Sequence, residues 1–159
     1  MRHWIRRTLL QAAWAPLTIF AFYAIAAKGF NAYIKAPWLD MPTHFFGGMA
    51  MTYFYTVAIK NSQVLIGKIP RIIHSILSVG LIAINAILWE FLEYTSDLAF
   101  NTKMNLGVSD TLSDLFFGLL GGVIYVAEYS HLSRRRLFKL VEACNGFKQT
   151  ATSSLRRSN

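Results

Sequence analysis

A chain of 159 residues with 54% hydrophobic and only 15% charged side chains cannot coat a water-facing surface with polar groups, so lipid must cover much of it. The net charge of +8 falls in short basic segments between apolar runs, a pattern that suits anionic headgroups and membrane topology rather than nucleic acid. One cysteine, Cys144, excludes an intrachain disulfide and a cysteine-based metal cage.

Four apolar runs follow in chain order. Residues 8–27 carry no charge and contain Pro16, with Arg2, Arg6 and Arg7 before them. Residues 41–59 carry one histidine, His44, and 72–89 carry His74 and Asn85 as their polar members. Residues 111–127 contain one acid, Asp114. A span takes about 20 residues, and only helices or closed barrels satisfy the backbone in lipid. Period-2 alternation is absent, so the predicted fold is all-α. It is a polytopic bundle over 1–130 with about four transmembrane helices, near 8–27, 41–59, 72–94 and 111–129. Residues 131–159 are predicted as a basic cytoplasmic tail. Leu137, Leu140, Val141 and Cys144 lie at helical spacing among Arg134, Arg135, Arg136 and Lys139, so 133–144 is predicted as a short amphipathic helix on anionic headgroups. The polar stretch after it is predicted to be disordered.

Thirteen of the sixteen basic residues lie before the first run, between the second and third, or after the fourth. Lys28, Lys35 and Lys103 alone lie on the other side. The positive-inside rule then puts both termini in the cytoplasm. A cleaved signal peptide is the competing reading of residues 1–26, but the apolar stretch exceeds a usual signal core.

Six of the eight acids, Asp40, Glu90, Glu93, Asp97, Asp110 and Asp114, stand at the outer ends of the last three runs. Asp40 and His44 are four residues apart, Glu90 and Glu93 three, Asp110 and Asp114 four, so each pair shares a helix face. The pairs form a shallow layer (Asp40, Glu93, Asp110) and a deep layer (His44, Glu90, Asp114) about one turn below. Crowded carboxylates in a poor dielectric need protons, cations or a metal. Asp40, His44, Glu90 and Asp114 are the predicted ligands of a divalent metal, with Mg, Mn, Fe or Zn suited to oxygen donors and one imidazole. Glu93 and Asp110 are the candidate acid/base groups.

Plainer readings stand beside these. Asp40 and Asp110 fit helix caps, and Thr111-Leu112-Ser113-Asp114 fits a capping box. His44 fits an interior hydrogen-bonded histidine. Glu90 and Glu93 sit near a helix carboxyl end, where the dipole disfavours acids, unless the helix runs on into water. Gly47, Gly48 and Ala50, and Gly118, Gly121 and Gly122, read as close helix packing. A phosphate-cradling loop, a G-x-S-x-G elbow and an H-E-x-x-H helix are all absent from the sequence.

The elements Asp40-Met-Pro-Thr-His44, Trp89-Glu90-Phe-Leu-Glu93 and Asp110-Thr-Leu-Ser-Asp114 with Gly118 and Gly121 resemble the small VanZ-like and YjdF-like bacterial membrane proteins over about residues 38–125. The resemblance implies a role at envelope lipids or peptidoglycan precursors. The chain departs from that group in its span number and long basic tail. The expectation is an inner-membrane protein with a carboxylate/histidine site near the outer face, acting on a lipid or lipid-linked precursor, with membrane lipids and a possible second copy as partners. A proton- or cation-coupled transporter and a structural accessory protein are the alternatives.

Overall fold

The structure, a computed structural model, describes the backbone of residues 2–157 and their side chains except those of residues 2, 28, 134 and 136–157. Among the described residues every regular element is helical. They are α1 (Arg2–Ala12), α2 (Trp14–Ala24), a π-helical turn (Ile25–Gly29), α3 (Ala32–Lys35), a 3-10 turn (Pro37–Leu39), α4 (Asp40–Ile66), α5 (Arg71–Phe100) and α6 (Val108–Arg157).

The first expected span is bent. Pro16 has no N–H for the carbonyl of Ala12, and its ring crowds that carbonyl. The helix breaks at Ala13, and its two arms differ in direction by 52°. Two helical stretches are long and apolar enough to cross a membrane, α5 and residues Val108–Ser133 of α6. The bent α1–α2 pair makes a third if it counts as one span. The expected second span, within α4, does not join them. Thr43, His44, Gly47, Gly48, Thr52, Tyr53, Tyr55 and Thr56 dilute its apolar run.

That composition follows from where α4 sits. It packs against α1, α2 and α5, so protein rather than lipid meets much of it. On the α1 side, Asn61 Nδ2 donates to Thr8 Oγ1 and Gln11 Oε1, each at 3.0 Å. On the α5 side, Thr56 Oγ1 donates to Ser78 Oγ at 3.2 Å, and His74 Nε2 meets the Thr56 carbonyl at 3.1 Å. Tyr55 donates to Asn85 Oδ1 at 3.0 Å. Against α6 the helices touch backbone to backbone. A Cβ added to Gly48 would collide with the carbonyl of Gly118, and one added to Gly121 with the carbonyl of Phe45. Only glycine permits this approach.

Residues 1–126 form one compact unit and 127–159 a second. The backbone of the second is helical to Arg157. The amphipathic face expected over 133–144 rests on side chains outside the described residues; where disorder was expected after it, the described backbone is helical.

Candidate functional site

The acidic ends of α4, α5 and α6 meet at one end of the first unit. Asp40 stands in the first turn of α4, after the 3-10 turn, and His44 is one turn further along. Thr43, beside it, shares a 2.8 Å hydrogen bond with Tyr33 of α3. Glu90 and Glu93 lie well inside α5, which runs on to Phe100, yet both are buried, at 8% and 4% exposure. The reading in which they reach water is therefore not what the structure shows. Asp114 is six residues into α6 and 2% exposed.

Two donor groups result, and Asp114 belongs to both. In Asp40, His44 and Asp114, one ligand atom from each lies within 4.8 Å of the others, and the same holds for Glu90, Glu93 and Asp114. His44 Nε2 is 3.5 Å from Asp40 Oδ1 and 3.7 Å from Asp114 Oδ1. Trp89 Nε1 donates to Glu93 Oε1 at 2.8 Å. Glu90 Oε2 and Asp114 Oδ2, both buried, have no hydrogen-bond partner. Polar atoms removed from water without a partner are costly, and three carboxylates so close cannot all stay ionised without a countercharge.

Of the expected ligands, Asp40, His44 and Asp114 fall in one group, while Glu90 falls in the other with Glu93, and Asp114 is common to the two. Asp110 stands outside both groups. Its Oδ2 accepts the Leu106 N–H at 2.8 Å, a cap on the start of α6. Asp114 lies too far into the helix to cap it. Asp97 also has other work. It accepts the Thr102 hydroxyl and the N–H groups of Met104 (2.7 Å) and Asn105 (2.9 Å), stapling the α5–α6 loop.

Sequence reasoning missed two features. The Trp89 bond to Glu93 was available as an i, i+4 pair on α5. The other is a cavity of about 310 Å³ against the site, lined by α2, α4, α5 and Gly118 of α6, with His44 and Trp89 in its wall. It depends on where α2 goes after the bend, which no local pattern announces.

Comparison with known proteins agrees with a membrane protein. The chain is 28% identical over 102 residues, 62% of its length, to an "Uncharacterized protein" of Thermotoga maritima. The match takes in 51% of that relative, so the chain spans about half the length of the curated protein it matches. No solved structure matches the chain. A family model described as "Predicted membrane protein (DUF2238)" matches residues 3–135, and the chain belongs to that family.

Proposed function

We propose that the protein is a four-span inner-membrane protein that holds a divalent cation at an outward-facing carboxylate/histidine site and acts on an envelope lipid or lipid-linked precursor. The observation that carries this reading is the pair of buried, unpartnered oxygens, Glu90 Oε2 and Asp114 Oδ2, inside a cluster of acids. A cation supplies the missing partner to both and offsets the mutual repulsion. Asp40, His44, Glu90 and Asp114 are the proposed ligands, with Glu93 close enough to add an oxygen. Such an ion would polarise a phosphoryl oxygen or activate water. Glu93, oriented by Trp89, is the first candidate acid/base, and Asp110 at the rim is the second.

The four-span topology counts α1–α2 as one span and α4 as another. The distribution of basic residues supports it, with both termini inside and Lys103 outside. The resemblance to VanZ-like and YjdF-like proteins supports the envelope-lipid role.

Metal analysis of the purified protein tests the reading. The wild type should carry a stoichiometric divalent metal that Glu90→Gln or His44→Ala loses. Metal-free wild type with its helical content intact would overturn it. Reporter fusions at Lys103 and at Asn159 should be active outside and inside, respectively.

Coupled transport is the second reading. It is favoured by buried polar side chains beyond the site, Thr52, Thr56, Ser78 and His74. Against it, Gly48 lies on Gly118 between His44 and Thr52, and there the α4–α6 seam holds backbone alone.

A further inference from the structure

The cavity beside the carboxylate cluster differs from it in chemistry. Its walls are Pro16, Leu17, Ile19, Phe20 and Tyr23 of α2, facing Gly47, Met51, Ile82, Ala86 and Trp89, and its polar members are few. At about 310 Å³ it stands at the small end of ligand pockets.

Two of its wall residues also belong to the acidic site. His44 lines the cavity and places Nε2 between Asp40 and Asp114. Trp89 lines it with its ring, held edge-on by Phe20 and Tyr23, and sends its indole N–H to Glu93. An occupant therefore has apolar walls along its body and the carboxylate/histidine cluster at one end.

The surface around the cavity narrows the choice of occupant. Leu17 and Phe20 of α2 and Leu88 of α5 are each more than half exposed, and α5 is a membrane-crossing helix by length and composition. The molecules that meet such a surface are lipids. A compound arriving from water would have to cross that apolar face. The bend at Pro16 is what makes the space, because it redirects α2 relative to α1 while α1 remains bonded to α4.

We propose that this cavity binds one hydrocarbon chain of an amphiphile, with the polar end of that molecule at His44 and the acidic cluster. This rests on the metal-site reading only for the fate of the polar end; chain binding stands on the cavity itself. Fatty acyl and isoprenoid chains share the required chemistry.

The test uses the full-length protein with Trp4, Trp14 and Trp38 replaced by Phe, so that Trp89 is the energy donor to cis-parinaric acid. Energy transfer should saturate at one molecule per chain. Oleate and farnesyl phosphate as competitors separate the two chain types, and displacement by either supports a chain site. Gly47→Leu from α4 and Ala86→Leu from α5 fill the cavity and should weaken binding about tenfold or more. Leu98→Ala, at an exposed α5 residue outside the cavity wall, should bind as the wild type. Non-saturable transfer, or equal binding in the filled variants, would overturn the proposal. Metal content measured on the same samples keeps the two readings apart. Filled variants that keep their metal and lose the fatty acid locate the chain in the cavity, and metal-free protein that still binds one chain sinks the metal reading alone.

Discussion

His44 Nε2 lies 3.7 Å from Oδ1 of Asp114, while Oδ2 of the same carboxylate is buried and meets no donor. One side chain therefore belongs to two donor groups, and its substitution should disturb both. Asp114→Asn is expected to weaken divalent-cation binding at least about tenfold, or about 1.4 kcal/mol, by calorimetric titration with Mn²⁺. Asp40→Asn and Glu93→Gln each touch one group, so the larger loss identifies the group that holds the ion. Asp110→Asn, outside both, should change affinity by no more than about twofold. A loss at Asp110→Asn as large as at Asp114→Asn would show a general charge effect in place of coordination.

Gly48 and Gly47 are neighbours with opposite tolerance. A methyl on Gly48 meets the Gly118 carbonyl, which is backbone and cannot swing aside. Gly48→Ala should cost about 1–3 kcal/mol or more, seen as a lowered melting temperature in detergent. Gly47→Ala should be neutral or gain up to about 1 kcal/mol from helix propensity. Equal melting temperatures would contradict the close α4–α6 contact.

Ser78 accepts from Thr56 and donates to the His74 carbonyl at 3.0 Å, all within the α4–α5 interface. If this layer is interhelical adhesive, Ser78→Ala lowers stability by about 0.6–2 kcal/mol and leaves cation binding unchanged. Loss of cation binding in a folded Ser78→Ala protein would favour a conduit instead.

Asp97 holds the loop between α5 and α6 through three acceptor contacts. Asp97→Ala should speed hydrogen exchange at the amides of Met104 and Asn105, with little change at those of α4. Unaltered exchange at both amides would remove Asp97 as the loop's organiser.

The sequence carried the helical class because four apolar runs and their charge-bearing borders are local features. It also carried the shared faces of Asp40 with His44 and Glu90 with Glu93, since i, i+4 and i, i+3 spacings fix them within one helix. Pairing between helices is different. That Asp114 would serve both groups while Asp110 turned back to Leu106 depends on how α6 rotates against α4 and α5, and Gly48, Gly118 and Gly121 set that rotation. The bend at Ala13 was implicit in Pro16, but its outcome, a cavity along α2, requires the other helices in place. By length and composition the described helices offer two or three spans, because polar and small residues dilute α4 where it packs against α1, α2 and α5.

The contact between Gly48 and Gly118 has a kinetic consequence. Along the α4–α6 seam the acidic chamber ends in backbone, so on that side it is a cup and not a corridor. An ion or proton held at His44 and Asp114 therefore has no route along that seam to Thr52 and Thr56, and exchange at the cluster proceeds by its other sides.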